Sequence, residues 1–271
     1  MPETAQEIPK RQDTLACHSL AVQRVISAIR GRLDENISLS EMAGVAYMSR
    51  YHFNRTFRQI TGLPPRRFLS KLRVEAATRM LLNTDSSITE ICLDVGYTSL
   101  GTFIRRFSRI LGISPKRLRS MREFSAHDVV RTVKTGSEMR PRVERSSVYG
   151  RIECPPSFAG AIFIGLFSTP IPEGSPAACA ILVRPGGEFL IPGVRNGRYH
   201  VFALGLPWPD SLDGFFRYES ALRGGGQRIS IQNENVKCDL IALREAVPTD
   251  PPVLLNLPLL LDRKRDQHKV A

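Results

Sequence analysis

The strongest constraint on this chain is that one stretch of it is written twice. Ser49-Arg50-Tyr51-His52-Phe53-Asn54-Arg55-Thr56-Phe57 is followed by Gly62 and Pro65. Ser99-Leu100-Gly101-Thr102-Phe103-Ile104-Arg105-Arg106-Phe107 is followed by Gly112 and Pro115. Ser, Phe, Arg, Phe, Gly and Pro recur at an offset of fifty. Upstream, Met42-Ala43 matches Ile91-Cys92 at forty-nine, so one residue slips in the turn between.

Each copy follows one physical logic. A short helix, predicted over Ser40–Ala46 and again over Glu90–Val95, carries a small residue, Ala43 or Cys92, which lets a second helix cross closely. A tight turn follows, with Gly96 in the second copy. Ser49, and Ser99 or Thr98, stand where a cap satisfies the first N–H groups of the next helix. Phe53 and Phe57, like Phe103 and Phe107, lie four apart and bury one face. The opposite face is left to Arg50, Tyr51, Asn54, Arg55 and Arg58 in the first copy. In the second it is left to Leu100, Gly101, Ile104, Arg105 and Arg109, with Thr102 beside them. A capped helix with an Arg- and Asn-bearing outer face and a crossing partner has helix-turn-helix geometry, whose second helix enters the major groove of DNA. There Arg suits guanine and Asn suits adenine. Between the copies, Pro65–Leu82 has an apolar stripe of Phe68, Leu69, Leu72, Ala76, Met80 and Leu81. It reads as a rigid spacer that would set two recognition helices in successive grooves, about 34 Å apart.

Charge agrees. The net charge of the 271 residues is +12. Residues 1–122 hold 20 Lys+Arg against 10 Asp+Glu, while residues 123–271 hold 18 against 16. The pull on a polyanion therefore belongs to the N-terminal part.

The chain divides into four stretches. Residues 17–122 are helical, with about seven helices and no strand. Val22, Val25, Ile26, Ile29 and Leu33 form one stripe, Ser38 and Thr89 stand as caps, and Pro64-Pro65 and Pro115 stand at helix starts. Residues 123–156 are polar, with scattered Gly and Pro, and read as a linker. Residues 157–262 read as an all-β antiparallel sandwich of short strands: Ala161–Ser168, Ala177–Val183, Glu188–Ile191, Gly197–Leu204, Arg228–Ile231 and Val236–Leu243. Turn formers separate them, Gly224-Gly225-Gly226 included. Phe215–Arg223 has the look of a small helix. Val253–Leu261 reads either as a final strand or as an apolar patch for self-association. Residues 263–271 form a basic tail.

Residues from about 20 to 122 resemble the AraC/XylS-type DNA-binding domain. The resemblance rests on Ala43, Ser49, His52-Phe53, Arg55, Phe57, Gly62, Pro65, Arg73 and Ala76-Ala77 in the first unit. The second unit contributes Ile91, Gly96-Tyr97, Phe103, Arg105, Phe107, Gly112, Pro115 and Arg119. It implies two helix-turn-helix units acting on promoters, with RNA polymerase as a partner, and it leaves open a small-molecule effector and a homodimer. Carried over by position, the base-contacting candidates are Arg50, Tyr51, Asn54 and Arg55, then Leu100, Gly101, Ile104 and Arg105. Leu100, Gly101 and Ile104 depart from the polar readers usual there, which leaves Arg105 and contacts to thymine methyl groups. Ser49, His52, Ser99, Lys116 and Arg119, in a run with Arg117 and Arg122, are phosphate-contact candidates; packing is the alternative for His52, and a plain solvated face for the run. Arg73 reads as a structural ion pair or phosphate contact, with a base contact as the alternative.

In the C-terminal part, the stretch from Phe189 to Ala203 is similar to the carboxypeptidase regulatory-like (transthyretin-like) β-sandwich, a module that is usually non-catalytic. In an AraC-type regulator a second domain of this kind implies a ligand-sensing or dimerising role, with a purely structural one as the alternative. Trp208 could line a pocket or fill the core.

Other classes fit less well. Five cysteines, Cys17, Cys92, Cys154, Cys179 and Cys238, form no C-x-x-C pair and no disulfide framework. The histidines His18, His52, His127, His200 and His268 have no metal-ligand spacing. No phosphate-binding loop, nucleophile elbow or dinucleotide fingerprint occurs, so neither an enzyme nor a cofactor is expected. Residues 1–13 read as no secretory signal and Val253–Leu261 is too short to cross a bilayer, so a cytoplasmic protein is expected. A low-specificity DNA-architectural protein is the alternative to a promoter-specific regulator, and RNA binding would call for exposed aromatics on a sheet.

Overall fold

The computed structural model describes residues 7–123, 146–209 and 220–254, with Ser125, His127, Val130, Arg131 and Gly214 as isolated positions. Two compact units are formed: Met1–Ala77 with Thr89–Phe103 and Val247–Pro252, and Thr78–Ile88 with Ile104–Ala246 and Val253–Ala271.

Seven α-helices occupy the first stretch: α1 (Glu7–Arg30), α2 (Leu39–Val45), α3 (Arg50–Thr61), α4 (Pro65–Asn83), α5 (Ile88–Asp94), α6 (Leu100–Leu111) and α7 (Pro115–Ser120). A 3-10 turn, Met121–Glu123, closes the series. The expected count and the absence of strands hold across residues 7–123. The helix α1 begins earlier than its apolar stripe, because residues 7–19 are mostly polar and carry no helical period. Val22, Val25, Ile26 and Ile29 are buried, and Leu33 is half-buried beyond the helix end.

Caps explain why the short helices hold. Ser38 precedes α2 and accepts from the N–H of Glu41, whose carboxylate accepts from the N–H of Ser38 at 2.7 Å. This reciprocal capping box satisfies two otherwise orphaned donors. Ser114 accepts from the N–H of Arg117 and Pro115 opens α7. Thr89 caps nothing, since α5 already starts at Ile88. The helix α3 ends at Gly62 in left-handed backbone, φ 74, and Gly112 repeats this at φ 83.

Within the first unit, the Phe53, Phe57 and Phe68 rings pack edge to face at 5.4 Å, and all three are fully buried. The spacer α4 also carries two buried ionisable side chains. Lys71 is 1% exposed and its ammonium donates to the carbonyl of Pro252 at 3.3 Å. Glu75 lies 3.6 Å from Arg30.

The second stretch is β-rich. Its strands are β1 (Val148–Glu153), β2 (Gly160–Phe167), β3 (Ala178–Leu182), β4 (Gly187–Ile191), β5 (Gly197–Pro207), β6 (Leu222–Ile231), β7 (Val236–Lys237) and β8 (Ile241–Ala242). One sheet has the order β3-β2-β5-β6, antiparallel throughout. The other has the order β4-β1-β7, with β8 also on β1. Here β4 is antiparallel to β1, but β7 and β8 are parallel to it, so this sheet is mixed rather than antiparallel. Val148, Ile152, Phe189 and Ile191 of one sheet and Ile162, Ile164, Leu166 and Val201 of the other belong to one hydrophobic core.

Three local readings change. Val148–Glu153, inside the stretch read as a linker, is a strand: its residues alternate buried and exposed, with Val148, Gly150 and Ile152 inward. Gly224-Gly225-Gly226 lies inside β6 rather than at a turn. Gly225 and Gly226 have φ of 101 and 97, opposite a register shift at Val201/Phe202. A side chain on Gly225 would run into the carbonyl of Val201. Glycine therefore permits a bulge without ending the strand. The run Val236–Leu243 breaks into β7 and β8 at Asp239, whose N–H turns aside to the side chain of Gln227 at 3.0 Å. Leu222 and Arg223, the end of the expected Phe215–Arg223 helix, begin β6; residues 215–219 lie outside the described ones. So do residues 255–271, which hold most of Val253–Leu261 and the basic tail.

Candidate nucleic-acid interface

In α3, Phe53, Thr56, Phe57 and Thr61 are buried. The 3.6-residue period then turns Tyr51, Asn54, Arg55 and Arg58 outward, with Arg50 exposed in the first turn. Tyr51 is 81% exposed, unusual for an aromatic with apolar area to bury. The Ser49 hydroxyl accepts from the N–H of His52 at 3.3 Å, so it acts as the helix cap. His52 is exposed, with its ring edge-on to His18 at 5.3 Å.

In α6, Phe103, Phe107, Ile110 and Leu111 are buried. Gly101, Arg105 and Arg109 are exposed and Thr102 is half-buried. Leu100 and Ile104 are 38% and 37% exposed. The Ser99 hydroxyl, not Thr98, stands at the cap and accepts from the N–H of Thr102 at 3.4 Å. Arg106 is exposed as well. It escaped the sequence reading because the buried Phe pair divides the helix into two faces, whereas Arg106 sits on their border.

The turn before each outward helix bends through left-handed backbone. Gly96 serves in the second copy, φ 81, and Tyr47 in the first, φ 55. Tyr47 is 86% exposed, with the Arg24 guanidinium 5.6 Å from its ring centroid. No sequence signal marks it, since Tyr rarely adopts this backbone.

The remaining cations divide by what they touch. Arg73 donates from one Nη to the carbonyl of Gly96 and from the other to that of Glu35, each at 2.7 Å. Its guanidinium lies 5.4 Å from the Tyr97 ring centroid, and burial pulls its pKa below the usual range. Arg73 is thus a structural tie to two backbone carbonyls rather than to a carboxylate. Arg119 is half-buried and donates to the carbonyl of Ser86. Arg122 binds the carbonyl of Thr84 and the carboxylate of Asp85. The run expected to face phosphate therefore splits: Lys116 and Arg117 are exposed, while Arg119 and Arg122 bind residues that directly follow α4.

A helix-turn-helix domain family matches residues 42–121. The bifunctional transcriptional activator/DNA repair enzyme AdaA of Bacillus subtilis (strain 168) is 31% identical over 100 residues, which are 37% of this chain and 47% of that protein. The HTH-type transcriptional activator AarP of Providencia stuartii is 30% identical over 101 residues, 37% of this chain and 75% of that protein. A solved AraC-type transcriptional regulator from Chromobacterium violaceum is 26% identical, with 38% of this chain and 93% of that chain covered, at a TM-score of 0.37. The chain spans about half the length of AdaA. Among the described residues no helix is long and apolar enough to cross a membrane. The match over three quarters of AarP, with a family model that spans α3 and α6, places the chain: it belongs to the AraC-type helix-turn-helix transcriptional regulators.

Proposed function

We propose that this protein regulates transcription by binding double-stranded DNA sequence-specifically, with α3 and α6 each entering a major groove. The observation that carries the reading is the equivalence of Arg55 and Arg105. Each is exposed, each lies two residues after the first buried Phe of its helix, and each follows a serine cap. Arg50, Tyr51, Asn54 and Arg58 join Arg55 as base-edge or groove contacts. Leu100, Gly101, Thr102, Ile104 and Arg109 join Arg105. His52, Lys116 and the capped N-termini at Ser49 and Ser99 meet phosphate. On this reading residues 17–122 are the DNA-binding domain. The β-rich part that begins at β1 is a β-sandwich, akin to the transthyretin-like module, that senses a ligand or dimerises. RNA polymerase is the partner at the promoter, the protein is cytoplasmic, and the chain does no chemistry of its own.

Footprinting on genomic DNA tests this. A defined site of about two helical turns is expected, whereas uniform coverage would favour a DNA-architectural protein. Replacing Arg55 or Arg105 by Ala should relax base preference and cost roughly 1–3 kcal/mol.

A further inference from the structure

We propose that α6 is a thymine reader: Leu100 and Ile104 pack on C5 methyl groups in the groove that Arg105 enters. The assignment rests on the reading of α6 as a groove-entering helix and names the bases it takes.

Leu100 and Ile104 are four apart and so lie on one flank of the helix. Every other large apolar side chain of α6 is buried, at 1% exposure or less, whereas these two are left more than a third exposed. An exposed apolar pair favours an apolar partner. Its surroundings define which one. Arg105 and Arg109 are exposed on the same helix, and such cations favour a polyanion over an apolar protein face. Among the base edges of the major groove, only thymine offers an apolar group, its C5 methyl.

Gly101 adds a second observation. It takes the place of Tyr51 at the offset of fifty, and a Cβ built on it would meet nothing within 4 Å. Its φ lies outside the left-handed region. Neither packing nor backbone therefore calls for glycine here. What glycine provides is a bare stretch of helix surface beside Leu100 and Ile104, which lets the backbone come nearer the bases by the depth of a side chain. Short apolar side chains need that approach to touch a methyl group; the long Arg50 and Tyr51 of α3 do not. The two helices would then recognise unlike half-sites, one through Arg, Tyr and Asn, the other through methyl contact and Arg105.

The test uses the full chain and a site selected from random duplexes. The half-site whose preference Arg105→Ala relaxes is the one read by α6. Uracil, which lacks the methyl group, then replaces thymine in one half-site at a time. Uracil in the α6 half-site should weaken binding by roughly fourfold per methyl removed, and uracil in the α3 half-site should change little. The double variant Leu100→Ala/Ile104→Ala should bind the thymine and uracil duplexes alike. An α6 half-site without thymine overturns the proposal, as does uracil sensitivity that persists in the double variant. If instead no sequence is preferred at all, the groove-reading function falls with it; strong preference without uracil sensitivity removes the thymine assignment alone.

Discussion

Tyr47 and Gly96 hold the same place in the two repeats, and both sit in left-handed backbone, at φ 55 and φ 81. Left-handed backbone costs an L side chain about 1–2 kcal/mol, so the first turn carries a strain that the second avoids. The second turn has its own reason for glycine: a Cβ on Gly96 would collide with the carbonyl of Leu33 and the guanidinium of Arg73. Gly96→Ala should therefore destabilise by about 2 kcal/mol or more. Tyr47→Gly should stabilise by up to about 1 kcal/mol, less the loss of its contact with Arg24. Urea unfolding midpoints at unchanged slope measure both.

Arg73 holds two carbonyls with one planar fork, which a lysine cannot do. Arg73→Lys and Arg73→Met should each lower stability by about 2–3 kcal/mol. At a temperature where the variants are folded, the slope of DNA affinity against salt should stay unchanged, since no phosphate contact is lost. A slope reduced by one unit would return Arg73 to the DNA surface.

Lys116 and Arg119 should separate in the opposite sense. Lys116→Ala is expected to reduce the salt slope by about one, with little effect on folding. Arg119→Ala is expected to cost about 1–2 kcal/mol of stability through the lost bond to Ser86, with the slope intact. Titrations of a fluorescent duplex at several salt concentrations, beside thermal unfolding, resolve the pair.

The capping box of α2 should show in the acid limb of stability. The Ser38 N–H holds the Glu41 carboxyl below its ordinary pKa, so the folded value lies under the unfolded one. The box therefore stabilises the fold at neutral pH, and this is lost as pH falls below the ordinary glutamate range and through the folded value. Glu41→Gln, measured by unfolding at a series of pH values, should be less stable at pH 7 and should lose less stability on acidification.

Cys238 and Cys17 should differ in reactivity. Burial, with Asp239 adding to it, pushes the Cys238 thiol up to about 11, so it is not a thiolate at neutral pH. Cys17 is exposed. Iodoacetamide on the native protein should label Cys17 well ahead of Cys238, and mass spectrometry of the digests reports the order.

The helical half was legible because its signals are local. A buried Phe pair, a serine cap and a glycine at the helix end each act within one or two turns, and Phe53, Ser49 and Gly62 do what their residue types imply. The roles of Arg73 and Arg119 were not legible, because their acceptors are backbone carbonyls, which every residue carries and no residue type announces. In the β-rich half, strand existence was mostly readable and pairing was not. β1 is parallel to β7 and β8 across about ninety residues of chain, a match fixed by packing alone. Gly225 misled for a related reason: glycine permits both a turn and a bulge, and only the nearby Val201 carbonyl decides.

Lys71 and Pro252 are 181 positions apart in the chain, yet they belong to the same compact unit. A fragment cut after α7 would leave the buried ammonium one acceptor short, in surroundings where an unmet charge is costly. Trimming the protein to its DNA-reading head thus removes part of what steadies the spacer between the two readers.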